Sequence, residues 1–204
     1  MTPCADSTVA RPAPQPQGAV SAPGLRRRHV MLAATAMACG MSARASVPTE
    51  LRSIMPSATL SGSIRFTYWG FSVYNASLWV LPGFRPQTFE QHPFALHLEY
   101  LRNFTNASIT SRTVDEMARQ SEPTSERRQL WRQWLEGAFP DVRAGDRLTG
   151  VNRPGEGSLF FTNGRQTGMV PDSEFARLFF GIWLSADTPE PAMRRALLSN
   201  ANGS

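Results

Sequence analysis

Leu60-Ser61-Gly62-Ser63-Ile64-Arg65-Phe66-Thr67-Tyr68-Trp69-Gly70-Phe71-Ser72-Val73-Tyr74-Asn75-Ala76-Ser77-Leu78-Trp79-Val80-Leu81 is the stretch on which the fold turns. From Leu60 to Tyr68, apolar residues alternate with small or polar ones, the period-two pattern of a half-buried strand. Gly70 breaks the pattern. Residues 71–81 carry no charge and are rich in Val, Tyr, Trp and Leu, so they predict a buried second strand returning antiparallel to the first. Pro82-Gly83 ends it. A loop with two prolines over 84–93 leads to a third strand, Phe94-Ala95-Leu96-His97-Leu98-Glu99-Tyr100. Its apolar face is Phe94, Leu96, Leu98 and Tyr100, while His97 and Glu99 point the other way.

Downstream the period changes. Residues 108–120 place Ile109, Thr113 or Val114, and Met117 at helical spacing. Residues 125–139 repeat Trp131, Trp134, Leu135, Ala138 and Phe139 as a wide apolar stripe, with Arg127, Arg128 and Arg132 on the wet side. After a turn at 141–145, strands over 147–152 and 158–163 flank Pro154-Gly155-Glu156-Gly157. Asn163-Gly164 is a type I′ turn signal leading into a sixth strand over 166–170. Asp172 is placed to cap a helix built on Phe175, Leu178, Phe179, Ile182 and Trp183. Thr188-Pro189 is expected to start a last short helix through Leu198, with Thr188 as its cap. Three strands, two helices, three strands and two helices predict an α+β domain, an antiparallel sheet with helices on one face.

The chain has 204 residues, 21 arginines, no lysine and 16 acids, for a net charge of +5. That charge is unevenly placed. Residues 1–45 contribute +4, which leaves +1 on residues 46–204. The balance argues against nucleic-acid binding by the body of the protein. The front end instead reads as an export signal: Arg26-Arg27-Arg28, an apolar run of about a dozen residues from Val30 to Met41, then Ser42-Ala43-Arg44-Ala45. Cleavage is expected after Ala45. Arg27 and Arg28 with His29-Val30-Met31-Leu32 resemble a twin-arginine signal, with general secretion the alternative and lipoprotein processing at Cys39 a lesser one. The expected location is periplasmic and the export machinery an expected partner. No apolar run reaches the roughly 18–20 residues of a membrane span. The expected division is 1–45 signal, 46–56 short lead-in, 57–199 a single domain and 200–204 tail.

The chemistry-bearing inventory of the mature part is short. Cys4 and Cys39 both precede the expected cleavage, so disulfides, thiolate nucleophiles and Cys-ligated zinc are excluded there. His92 and His97 straddle a proline and share no helix face, which gives no metal site. No nucleophile-elbow or phosphate-loop signature is present, and neither catalytic residue nor cofactor is expected. One polar residue stands out. Arg65 lies mid-strand on the face assigned to Ser61, Ser63 and Thr67, and a guanidinium in a segment fit for burial needs a partner. That partner is either an internal acid such as Glu99 or a ligand carboxylate or enolate, which a planar fork binds bidentately.

Gly62-x-x-Arg65 followed by Val73-Tyr74-Asn75-Ala76-Ser77-Leu78-Trp79-Val80 resembles the chalcone isomerase-like domain. The resemblance continues through Gly145-Asp146-Arg147-Leu148, the Asn163-Gly164 hairpin, 175–184 and Leu197-Leu198. It spans about 57–199 and points to an exported bacterial branch. It implies an open-faced β-sandwich with helices against a large antiparallel sheet and a ligand cleft between them. Plant members cyclise chalcones to flavanones, and fatty-acid-binding members share the fold without that activity. Arg65 matches the family's anion-binding arginine. Tyr74 stands where the enzymes have a ketone-polarising threonine, and Phe104-Thr105 occupies the stretch of their catalytic tyrosine. The pair Arg65 and Tyr74 thus resembles the non-catalytic, carboxylate-binding form. The resemblance implies an exported binder of a small amphipathic anion such as a fatty acid, held by Arg65 and Tyr74, with Thr67, Tyr100 and Arg102 as further lining candidates. The alternatives are an intramolecular lyase acting on a conjugated carbonyl, with Arg65 stabilising the anion, and an envelope interaction module with no small ligand.

Overall fold

The computed structural model describes residues 46–201. Arg27, Arg28, Cys39, Ala43 and Ala45 lie outside the described residues. Strands β1 (Thr59–Tyr68), β2 (Phe71–Val80), β3 (Phe94–Tyr100), β4 (Arg147–Arg153), β5 (Gly157–Thr162) and β6 (Arg165–Val170) form one six-stranded antiparallel sheet in sequence order. Between β3 and β4 run helices α2 (Asn106–Gln120) and α3 (Ser125–Ala138), and after β6 come α4 (Ser173–Leu184) and α5 (Pro191–Leu197). The expected alternation of three strands and two helices, twice over, is the observed one.

The start of the domain differs from expectation. The lead-in carries a helix, α1 (Thr49–Ile54), whose Leu51 and the following Met55 are buried. They pack on Trp79, Ala95, Val151, Leu159 and Phe161, the sheet face opposite the four longer helices. The domain therefore begins before residue 57. Six residues are too few for a hydrophobic period to show, and an isolated helix of that length is unstable without tertiary packing.

The main core lies on the other face. Ala76, Leu78, Phe94, Leu96, Leu98, Leu148 and Phe160 from the strands meet Trp131, Leu135, Phe175, Leu178, Phe179 and Phe180 from the helices. Three of the caps are hydroxyl or carboxylate side chains accepting from the N3 amide: Thr105 from Ser108, Thr124 from Arg127, and Asp172 from Phe175. The last helix departs from expectation. Its N-terminal cap is Glu190 and its first residue Pro191. Thr188 instead donates to the Ile182 carbonyl and accepts from the Glu190 amide, bracing the turn before the helix.

Two glycines bring helices onto the sheet edges. A Cβ on Gly62 would lie 2.0 Å from the Ala196 carbonyl oxygen, so α5 lies directly against β1. A Cβ on Gly168 would lie 2.5 Å from the Ala138 Cβ, so α3 lies directly against β6. Helix α2 packs on α3 and α4 rather than on the strands. Its N-terminal end is tied by Asn106, whose side-chain amide donates to the Glu136 and Phe139 carbonyls. Its C-terminal end is tied by Gln120, which donates to the Leu178 carbonyl at 2.7 Å. Helix α2 is held at both ends and lifted off the sheet, which leaves a hollow beneath it.

Candidate functional site

The hollow is a cavity of about 520 Å³, within the usual size range of small-molecule sites. Its floor is Phe66, Leu96, Leu98, Leu148 and Phe160 from the sheet, and its walls include Ile109 of α2, Phe179, Ile182 and Trp183 of α4, and Met193 of α5. Gly150 keeps the floor low, since a Cβ there would meet the rings of Phe180, Phe160 and Phe179 at 3.1–3.4 Å.

The polar groups are few. Tyr74 and Tyr100 are paired across β2 and β3, with rings edge to face at 6.1 Å, and Phe66 stacks on Tyr74 at 5.1 Å. The Tyr74 hydroxyl accepts from Trp183 Nε1 at 3.1 Å and donates to Met193 Sδ at 3.8 Å. The Tyr100 side chain is buried, and its hydroxyl makes no hydrogen bond among the described residues. Burial pushes both phenols up, so they are neutral donors across the physiological range. Helix α2 supplies the charge. Arg112 Nη2 lies 2.6 Å and Arg119 Nη1 3.3 Å from Oε1 of Glu116, whose side chain is buried. Both arginines reach out towards solvent and line the rim, and the Arg112 guanidinium lies 5.5 Å from the centre of the Tyr68 ring.

Tyr74 and Tyr100 thus line the cavity together. The other three candidates do not. Arg65 is exposed on the opposite face of the sheet, where its Nε donates to Asn75 Oδ1 at 3.1 Å and Asn75 Nδ2 donates to Glu99 Oε2 at 3.1 Å. Thr67 is exposed, beside a bulge between Phe66 and Thr67. Arg102 is exposed and lies over the Phe71 ring at 4.8 Å. The physical reason is the strand's own alternation: the cavity lies within the helix-covered face, which Phe66 and its partner Tyr74 reach, and Arg65, next to Phe66 along β1, points away. A second bulge between Leu60 and Gly62 detaches Ser61 from the polar row, and its hydroxyl donates to the Leu197 carbonyl at 2.9 Å. Arg112, Glu116 and Arg119 are absent from the expected site residues, although the sequence carries a signal for them. Ile109, Arg112, Thr113, Glu116 and Arg119 follow the i, i+3, i+4, i+7 spacing of one helix stripe, so a buried acid flanked by two arginines was legible there.

A model of the family described as chalcone isomerase-like matches residues 44–199. The chain belongs to the chalcone isomerase-like family. Among solved structures, it is similar to a fatty-acid binding protein of Arabidopsis thaliana, with a TM-score of 0.55 over 71% of this chain and 88% of that one. Identity is 12%, so the likeness is one of fold. No curated protein matches the sequence. The chalcone isomerase-like fold accounts for the open antiparallel sheet with its helices.

Proposed function

We propose that this chain is an exported, non-catalytic binder of a small amphipathic anion, most simply a fatty acid, held in the cavity beneath α2. The observation that carries the proposal is the polarity of the cavity. It is apolar along Leu96, Leu98, Leu148, Phe160, Phe179 and Ile182, and its polar lining is the Tyr74 and Tyr100 hydroxyls, the Arg112, Glu116 and Arg119 set, and Tyr68, Ser108, Thr113 and Glu190. An alkyl chain loses water along the first set, at about 0.8 kcal/mol per methylene buried. A carboxylate at the rim accepts from the Arg112 guanidinium in competition with Glu116, a charge-assisted bond. The Tyr100 hydroxyl is a donor without a partner among the described residues. The head-group arginine is therefore Arg112, on the cavity side, rather than Arg65. The solved fold relative that is itself a fatty-acid binding protein supports the same class of ligand.

Export to the periplasm rests on the sequence, on Arg27 and Arg28 ahead of the apolar run and on Ala43-x-Ala45 after it. Mass spectrometry of protein made in a Gram-negative host tests both parts. The expected mature N-terminus is residue 46, and the expected native-state mass includes a lipid that solvent extraction releases. A Met1 terminus in the cytoplasm overturns export. A lipid-free protein that also takes up no added fatty acid overturns the binding proposal.

A further inference from the structure

The end of the β1–β2 hairpin turns three large aromatic side chains to solvent: Trp69 is 84% exposed, Phe71 61% and Tyr68 48%. Exposed apolar residues are ordinary when scattered singly; a contiguous set marks a contact surface. The backbone makes the Trp69 position more telling. Tyr68 pairs with Phe71, so Trp69-Gly70 is a two-residue turn, with φ of 50° and 79°. The sheet's other turn of this kind, Asn163-Gly164 between Thr162 and Arg165, has φ of 51° and 82°. Asparagine tolerates that left-handed region, and a bulky residue does not. The chain holds an indole in water at a strained position for which its own second turn uses the favoured residue. Local stability does not explain tryptophan there.

The surroundings are cationic. No acid occurs between Arg52 and Phe89 or between Tyr100 and Val114. Arg102 lies over Phe71 and Arg112 over Tyr68, while Arg65, three residues before Tyr68, bonds only to the neutral Asn75 among the described residues. Arg112 is paired with Glu116 at 2.6 Å, while Arg65 and Arg102 make no salt bridge among the described residues. Aromatic side chains beside such arginines match the headgroup region of an anionic bilayer. Trp and Tyr settle there with the ring in the acyl boundary and the polar edge wet, and guanidinium groups meet phosphates.

We propose that Tyr68, Trp69 and Phe71, with Arg65, Arg102 and Arg112, form a docking site for the surface of an anionic phospholipid bilayer. Tyr68 and Arg112 also line the cavity, so docking turns the cavity rim to the bilayer; this consequence alone rests on the proposed function, and the docking does not.

The test is co-sedimentation of the protein with vesicles of phosphatidylcholine mixed with phosphatidylglycerol, and with phosphatidylcholine alone. Binding to the anionic vesicles is expected at about 0.05 M salt and is expected to fall at least tenfold at about 0.5 M or without the anionic lipid. Trp69→Asn is expected to bind at least tenfold more weakly, with an unfolding midpoint no lower than the parent's. Brominated phospholipid is expected to quench the parent's tryptophan emission and to quench the variant's less. Phe71→Ser is expected to act in the same direction. No sedimentation with anionic vesicles at low salt overturns the proposal, as does a Trp69→Asn variant that binds like the parent. A dimer in sedimentation velocity that Trp69→Asn dissolves, without vesicle binding, also overturns it and assigns the patch to a second copy of the chain. Uptake of a dissolved fatty acid by Trp69→Asn is expected to be unchanged, so failure here and failure of the cavity proposal are distinguishable.

Discussion

Replacing Glu50 by Gln is expected to remove a pH-dependent contribution that holds α1 against the sheet. The Glu50 side chain is only 4% exposed. It accepts from the Thr149 hydroxyl and, at 3.3 Å, from the Thr49 hydroxyl. Thr149 is in turn 2.9 Å from His97 Nδ1, which lies 3.8 Å from the carboxylate. Burial alone would raise the Glu50 pKa, but the nearby His97 and the hydrogen bond from Thr149 outweigh it and bring the value down from 4.5 to about 2. A folded-state pKa below the unfolded one means that the unfolded chain binds the extra proton first. The stabilisation is therefore complete above pH ~4.5 and is lost as pH falls towards ~2. At 1.36 kcal/mol per unit, the shift corresponds to up to about 3 kcal/mol. For a domain of this size that is a lowering of roughly 6–12 °C in Tm. The assay is urea unfolding of the parent and Glu50→Gln across that pH range, taking the difference between them at each pH. The difference is expected to be flat at neutral pH and to shrink by up to about 3 kcal/mol on acidification. Using the difference cancels Asp146 and Glu126, whose exposed carboxyls are also held below their ordinary values by local hydrogen bonds. A difference that does not change with pH refutes the reasoning.

Further outcomes follow from the packing of the helices and the cavity. Gly62→Ala forces α5 off β1, because its Cβ would collide with the Ala196 carbonyl; a loss of about 1–3 kcal/mol is expected in denaturant unfolding. Ile109→Trp fills the cavity from α2 and is expected to weaken fatty-acid uptake at least tenfold in equilibrium dialysis, with Tm within a few degrees of the parent's. Trp69→Asn relaxes a strained turn and is expected to stabilise by up to about 1 kcal/mol in the same unfolding assay.

Much of the sheet was legible because β1 and β3 carry a period-two alternation, β2 is a charge-free apolar run, and glycine or proline breaks the chain after β1, β2 and β4. Asn163-Gly164 announced its turn by residue type, and Asp172 its helix by position. What was not legible depended on long-range packing. Helix α1 is too short to show a period, and it exists because Leu51 and Met55 find Trp79 and Val151 across the fold. The bulges in β1 shift Ser61 without a residue that marks them. Arg65 illustrates the other limit. Family resemblance pointed to it as the anion site, while the alternation of Ile64, Arg65 and Phe66 already placed it on the face away from the helices. A cleft between sheet and helices can be lined only by the apolar row, and its cations must come from the roof, from Arg112 and Arg119.

The central claim is tested most directly by calorimetric titration of a long-chain fatty acid into four proteins: the parent, Arg112→Gln, Tyr100→Phe and Arg65→Gln. Saturable one-to-one binding is expected for the parent. Arg112→Gln is expected to weaken it roughly 10–100-fold, the equivalent of about 1.5–3 kcal/mol for a charge-assisted hydrogen bond. Tyr100→Phe is expected to weaken it roughly 3–10-fold, and Arg65→Gln to leave it unchanged. No binding by the parent, or loss of binding with Arg65→Gln while Arg112→Gln and Tyr100→Phe bind normally, contradicts the claim.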